Sequence, residues 1–469
     1  MILGRLAGLG AVTVATLALA GTAAADGGSF TSSDPVLNAV WAGSARTAQD
    51  MLAAGPVSVD AEGRPCAIAL VTVLIDGTVR DRCPYIGDES VIDRTLDAST
   101  PNWEVQRSML AWFAAAQHAD GSIPSSPLFG ASLVLFDYNA YWLLTLHDYV
   151  LYSGDLSLAR ACWPNVVRLI DGFYASRTLP SGLVRNDLGP YDYGYIHRNG
   201  DVVPYYNAQY AYALEQAAQL AQWVGDVAHA GDWAVRERAV AAAFTSAFWD
   251  PSVGAFSDTT VDRSTHAEDG NAFAVLAGLA DPRRTALSLD YIWSALREDY
   301  GNTIVDTTSW DTPAWGDQAN LRVYPFISYF EAGARFAAGD DVRALDLIRR
   351  EWGYMLAHGT GTMWETIGPY GGGPTDRTPS FDAGWSSGAA PALTQYVLGV
   401  TPTSPGFRTF DVDPHPGGLA FASGDVPTPH GMLHVFWEQT DDDLLLHVDA
   451  PPGTTWADRP RLRRNPTLG

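Results

Sequence analysis

The stretch Asp76-Gly77-Thr78-Val79-Arg80-Asp81-Arg82-Cys83-Pro84-Tyr85-Ile86-Gly87-Asp88 crowds three carboxylates, two guanidiniums and an aromatic ring into thirteen residues. An apolar run from Ala67 to Ile75 leads straight into it, and a Gly-Asp pair closes it where a helical pattern begins. A buried approach to dense charge marks the wall of a cleft. If the segment is extended, alternation puts Arg80 and Arg82 on one side and Asp81 on the other. Asp81 then points alone into a pocket, which suits a general acid. The competing reading of this stretch by itself is a solvated, salt-bridged loop.

Working outward, Asp34-Pro35 opens a run in which Val36, Leu37, Val40, Trp41, Ala45, Ala48 and Leu52 recur near the helical period, with proline suited to a first turn. Pro56 to Ile75 reads as β-like or irregular. After the charged stretch, helical patterns lie near 88–97, 103–117, 137–152, 156–174, 206–223, 230–248, 269–278, 282–298, 322–338, 342–357 and 385–397. With the opening helix this makes about twelve, and paired helices in sixes close into a double-layered ring. An open solenoid would show a fixed repeat of 34 to 47 residues, and none is visible. Beyond Pro402, segments such as Gly431 to Trp437 and Leu444 to Val448 alternate or run apolar between Pro and Gly turns, as strands do. The expected fold is mainly α: an (α/α)6 toroid over residues 26–400, then a small C-terminal β-sandwich over 401–469 whose tail from Trp456 carries no pattern.

The 469 residues are 47% hydrophobic and 11% aromatic, ample for a large core. Residues 1–25 carry Arg5, an apolar run from Leu6 to Ala20 and Ala23-Ala24-Ala25, the pattern of a secretory signal cut after Ala25. The expected location is therefore extracellular. No later stretch has the length of apolar sequence a membrane span needs, so no membrane partner is expected. The formal net charge of −24, with arginine as the only basic side chain besides histidine, excludes a nucleic-acid partner. Of the three cysteines, Cys66 and Cys83 flank a strand-like run and are the first candidates for a disulfide, while Cys162 fits a buried free thiol. No spacing fits a zinc site, and His266 with Glu268 and Asp269 reads as a capped loop. No metal or cofactor is expected.

Long connections carry aromatics beside carboxylates: Tyr191-Asp192-Tyr193, Trp310-Asp311, Trp315-Gly316-Asp317 and Trp364-Glu365. Pyranose faces stack on Trp and Tyr while Asp and Glu accept hydrogen bonds from sugar hydroxyls. Trp112, Trp142, Trp163, Trp249 and Trp293 sit in helical patterns and read as core.

Residues Asp76 to Asp88 resemble the Asp-x-x-x-Arg-(Asp/Glu)-Arg-x-x-(Trp/Tyr)-x-Gly-Asp signature of bacterial α-L-rhamnosidases of glycoside hydrolase family 78. Three further segments are similar to that family in the same order: Leu347 to Glu365, Gly384-Trp385-Ser386-Ser387-Gly388 to Gly399, and Pro405 to Gly431. The resemblance implies a metal-independent, inverting hydrolase of terminal α-L-rhamnose in glycosides or polysaccharides. It places Asp81 at the general acid and Glu365 at the general base. Asp76, Arg80, Asp88 and Asp192 fall at sugar-pocket positions, Tyr85 and Trp364 at its aromatic wall, and Trp385 at the head of the last barrel helix. The sequence departs from the family in three places: Asp81 stands where glutamate is common, Ala383 where histidine often precedes Gly-Trp, and the β-domains that usually precede the barrel are not seen.

Two other readings stand beside this one. One is an exo-glycosidase for another deoxysugar or an unsaturated uronide, with Arg198 as the candidate reader of a carboxylate. The other is a carbohydrate-binding protein without catalysis.

Overall fold

The computed structural model describes residues 27–54, 72–79, 82–127, 133–306, 310, 319–374, 379–440 and 443–458. Among them twelve helices follow one another in six hairpins. They are α1 (Pro35–Asp50), α2 (Ile86–Ala98), α3 (Trp103–Ala115), α4 (Tyr138–Ser153), α5 (Leu156–Arg168, running on through Leu169–Tyr174 and Ala175–Arg177) and α6 (Pro204–Val224). After them come α7 (Val227–Phe248), α8 (Glu268–Leu276), α9 (Pro282–Ala295), α10 (Pro325–Ala338), α11 (Asp341–His358) and α12, assembled from Gly384–Gly388, Ala389–Ala392 and Leu393–Val397.

The even-numbered helices form a closed inner ring. Each packs on the next, α2 on α4, α4 on α6, α6 on α8, α8 on α10 and α10 on α12, and α12 returns to α2. The odd-numbered helices pack outside them, and this is the (α/α)6 toroid expected from the helix count. Burial follows the layering: α4 is buried over Tyr138 to Val150, whereas α9 buries only Ser288, Leu289 and Ile292. A helix buried on all sides cannot show a one-sided apolar stripe, which is why periodicity alone does not sort inner from outer.

Capping does sort them. The outer helices start on Asp34, Asn102, Asp155, Asp226 and Asp281, each accepting a first-turn N–H, and α11 starts on Asp340. Five inner helices start instead on Tyr85, Val203, Ala267, Tyr324 and Ala383 in extended backbone without a side-chain cap; Asp137 of α4 is the exception. All six inner helices therefore direct their N-terminal N–H groups and dipoles toward one mouth of the ring, where carboxylates are favoured. Asp88 and Glu89 in α2, and Glu268 and Asp269 in α8, occupy those first turns.

The sheet region draws on both ends of the chain. Strand β1 (Ser29–Ser32) pairs antiparallel with β6 (Phe421–Thr428), which continues into β7 (Gly431–Gln439) and β8 (Leu444–Asp449). A second sheet joins β4 (Val400–Pro402), β5 (Thr409–Val412) and β9 (Thr455–Asp458), the last running parallel to β5. Trp456 thus lies in a strand, correcting the expectation of a patternless tail from that residue. Between α1 and α2, β2 (Leu52–Ala54) pairs with β3 (Thr72–Leu74), which leads into the charged stretch.

Candidate active site

The described parts of the charged stretch, 76–79 and 82–88, are joined by two hydrogen bonds. Asp76 N–H donates to the Cys83 carbonyl at 3.1 Å, and Arg82 turns its guanidinium to the Thr78 carbonyl at 3.3 Å. The alternation expected of Arg80, Asp81 and Arg82 falls on a segment of which only Arg82 is described. Arg80 and Asp81 lie outside the described residues. Cys83 is buried and disulfide-bonded, whereas Cys66 lies outside the described residues; Cys162 is a buried free thiol.

Three segments distant in sequence meet beside this loop. Thr78 N–H donates to Asp382 O at 3.1 Å, and Gly384 N–H donates to Asp76 O at 2.7 Å. On its other side the same segment receives Glu365 N–H on Ser380 O at 3.0 Å and sends Ala383 N–H to Met363 O at 2.9 Å. Residues 380–384 are thus a spacer stitched between Asp76 and Glu365 by backbone hydrogen bonds. Glu365, buried, is further fixed by the Trp385 indole, which donates to its carbonyl at 2.7 Å.

From Trp385 the mouth is lined by an aromatic path. Trp385 stacks on Phe326 at 5.1 Å and 16°, Phe326 meets Tyr193 at 5.8 Å, and Tyr193 meets Tyr205 edge-on at 5.6 Å. Tyr205 donates to Asp137 at 3.1 Å, and Tyr138 donates to Asp88 at 3.0 Å. That approach explains Gly87: a Cβ there would lie 2.3 Å from the Tyr138 ring. Burial first, then the charges of Asp88, Asp137 and Asp76, push the Tyr138 phenol well above its ordinary value, so it stays a donor. Asp76, Asp88 and Asp137 therefore share the field around one ring, while Tyr85 heads α2 half-buried beside them.

Asp192 is fully buried and serves its own loop. One oxygen accepts Gly194 and Ile196 N–H at 3.1 and 3.0 Å; the other accepts Tyr206 at 2.8 Å and Arg198 at 3.3 Å. Burial raises its carboxyl against the pull of Arg198. Arg198, with its side chain 2% exposed, also bonds Asp258 and Asp269, each at 2.6 Å, and lies over Trp310 at 4.6 Å. Burial raises Asp258 to about 6 despite that contact. A guanidinium shared among three carboxylates is not available to read a substrate carboxylate. Trp364 is buried edge-on against Phe381 at 5.2 Å, and Trp310 donates to Asp258 at 2.9 Å, so these loop indoles are packed into the walls. Asp382, the neighbour of Ala383, is raised by burial to about 6 with Asp50, Thr78, Arg46 and Thr47 around it, turned toward the outer helix α1.

Sequence reasoning missed Asp137, Tyr138, Tyr205 and Tyr206, and also a repeated asparagine. Asn139, Asn207 and Asn271 each accept the N–H of an incoming segment, from Ile123, Val184 and Phe256 at 2.7, 2.7 and 2.8 Å. Each also donates back to a carbonyl of its own helix entrance. The signal was visible as Asn-Ala followed within two residues by an aromatic ring, in Asn139-Ala140-Tyr141, Asn207-Ala208-Gln209-Tyr210 and Asn271-Ala272-Phe273. Among the described residues no group of His, Cys, Asp and Glu is arranged to hold a metal, and no helix is long and apolar enough to cross a membrane.

A ring of six helical hairpins with carboxylates and aromatic rings gathered at the inner N-terminal mouth is the architecture of the six-hairpin toroids. The chain belongs to the bacterial α-L-rhamnosidase six-hairpin glycosidase family: that domain model matches residues 66–303, and the bacterial α-L-rhamnosidase C-terminal domain model matches 399–457. An α-L-rhamnosidase of Streptomyces avermitilis is 31% identical over 108 residues, 22% of this chain and 10% of that protein. The crystal structure of a family 78 rhamnosidase from Bacillus sp. GL1 superposes with a TM-score of 0.74 at 24% identity, covering 93% of this chain and 43% of that one. The S. avermitilis α-L-rhamnosidase complexed with L-rhamnose gives 0.70 at 18%, covering 93% and 39%. At these identities the superpositions establish the fold, and the chain spans less than half the length of these relatives.

Proposed function

We propose that the chain is an inverting α-L-rhamnosidase that releases terminal α-L-rhamnose from glycosides or polysaccharides and is exported after loss of residues 1–25. The observation that carries this reading is the backbone stitching of 380–384 between Asp76 and Glu365. It brings the early signature and the late carboxylate to one mouth, as a two-carboxylate mechanism requires.

In this mechanism Asp81 protonates the leaving glycosidic oxygen while Glu365 takes a proton from water attacking the opposite face of C1. Inversion calls for carboxyl groups about 6.5–9.5 Å apart. Asp76, Arg80, Asp88 and Tyr85 hold the sugar, with Trp385 fixing the base from behind. Asp192 contributes by shaping the loop that carries Tyr193. No step calls for a metal or cofactor. The inward-facing N-termini of the inner helices and Tyr138 compensate the carboxylates that crowd this mouth.

Neutralisation of Arg198 by Asp192, Asp258 and Asp269 argues against a uronide substrate. The test is a panel of chromogenic α-L-rhamnoside, α-L-fucoside, β-glucoside and unsaturated glucuronide substrates. Turnover confined to the rhamnoside is expected. Turnover of another glycoside alone would move the specificity, and sugar binding without turnover of any would leave a binding protein.

A further inference from the structure

The toroid has a second mouth, at the C-terminal ends of the inner helices, and it encloses a cavity of about 250 Å³. All six inner helices contribute to its wall, including Arg94 from α2, Asp148 from α4, Gln216 from α6, Leu276 from α8, Tyr329 from α10 and Tyr396 from α12. Thr401 and Pro402 of β4 add a side, so the sheet region helps to shape it. The catalytic mouth lies at the opposite helix ends, and the proposed mechanism uses none of these side chains.

The wall is built and polar. Arg94 is held on Asp148 at 2.5 Å and reaches the Tyr329 phenol at 3.3 Å. His147, stacked on Trp223 at 5.0 Å, bridges Asp148 and Gln219 at 3.2 Å each. Gln216 is 5% exposed and lines the cavity, and its Oε1, itself closed to solvent, has no hydrogen-bond partner among the described residues. A buried acceptor left in this state costs free energy, and rotation of the amide toward the cavity would let a ligand hydroxyl donate to it. Tyr152, Tyr212 and Tyr396 are half-buried around the same space. Burial holds the Tyr212 phenol at about 12, so it keeps its proton.

Charge narrows the ligand class. An anion is opposed by Asp148, by Glu215 at the rim and by the C-terminal ends of α4, α8 and α12, which reach the cavity with Tyr152, Leu276 and Tyr396. A cation finds no unpaired carboxylate within the wall, because Asp148 is held by Arg94. Aromatic faces, phenols, amides and paired charges together suit a neutral ring bearing several hydroxyls. The volume lies just under the roughly 300–1,000 Å³ of pockets that take drug-sized molecules, a size for one sugar ring and not a chain. We infer that the C-terminal mouth of the toroid is a second binding site, for a neutral monosaccharide.

The test is crystallographic soaking and calorimetric titration of the full chain with L-rhamnose, L-fucose, D-glucose and D-galactose up to about 0.1 M. Wild type is compared with Gln216→Leu, which removes the unpaired acceptor at similar volume, and with Glu215→Gln at the solvent-facing rim. At least one sugar should appear in the cavity beside Gln216 and Tyr212. Its affinity should fall about fivefold or more in Gln216→Leu, while kcat and KM on a chromogenic glycoside stay unchanged. Absence of all four sugars from the cavity of soaked wild-type crystals, or wild-type affinity in Gln216→Leu for a sugar seen there, would overturn the inference. Because soaking reads occupancy and not turnover, a protein inactive on every glycoside still tests it.

Discussion

The indole nitrogen of Trp385 donates to the main-chain carbonyl of Glu365 at 2.7 Å, while the ring stacks on Phe326 at 5.1 Å. One side chain thus ties the loop of the proposed base to the aromatic floor of the inner ring. Trp385→Phe keeps much of the stack and removes the donor. The expected outcome is a loss of about 1 kcal/mol of stability and about tenfold in kcat with KM little changed, because the carboxylate loses its fixed position. Thermal unfolding and steady-state kinetics read the two effects separately.

Arg198 holds Asp192, Asp258 and Asp269 together in a space almost closed to water. Replacing it with Met leaves buried carboxylates facing one another, and a loss of about 3–5 kcal/mol is expected. The damage should be smaller at pH 5 than at pH 8, since protonation relieves the repulsion. Denaturant unfolding at both pH values checks this, and no activity on unsaturated uronides should appear.

Along α2, Glu89 and Asp93 are buried one turn apart, and neither carboxyl has a hydrogen-bond partner among the described residues. Burial raises both well above the carboxylate range, reinforced for Glu89 by Asp93 and Asp88 and for Asp93 by Asp97 and Asp148. Burial also lifts Asp97, one turn further on, to about 7. A carboxyl raised in the folded state contributes stability that is complete below its unfolded value, near pH 4, and is lost as pH rises through the folded value. Asp93→Asn and Glu89→Gln remove that loss. Each variant should gain on the order of 1–2 kcal/mol over wild type between pH 5 and pH 8, measured as the difference in unfolding free energy.

The asparagine clamps are open to a plain test. Asn207→Ala takes partners from Val184 N–H and from the carbonyls of Val184 and Val203, all buried. A loss of about 2–3 kcal/mol is expected, read by denaturant unfolding. Because Val184 leads into the loop containing Asp192, KM for a rhamnoside should rise as well.

How much of this was legible beforehand depended on how local the cause was. The outer helices announce themselves through Asp or Asn caps, as at Asp34, Asp155 and Asp281, and through one-sided burial. Inner helices such as α4 are buried all round, so the count of twelve could be read but not which helices line the ring. Glu365 and Asp88 were singled out through motifs, and the fold brings their segments to one mouth. Asp137 and Tyr205 were missed because their roles arise from neighbours on other hairpins. The pairing of Ser29–Ser32 with β6 was equally hidden, since four residues carry no alternation strong enough to name a partner so far along the chain. Trp310 and Trp364 sit in loops by sequence yet pack into the walls, because loops folded over a ring mouth become part of its interior.

The most direct measurement is proton NMR of the sugar released from a chromogenic α-L-rhamnoside by wild type, Asp81→Asn and Glu365→Gln. The account predicts that wild type first yields β-L-rhamnose, before mutarotation, and that both variants lose about 10³-fold or more in kcat while keeping the wild-type fold. First appearance of the α-anomer, or substantial turnover by Glu365→Gln, would contradict the assignment of Glu365 as the base of an inverting reaction.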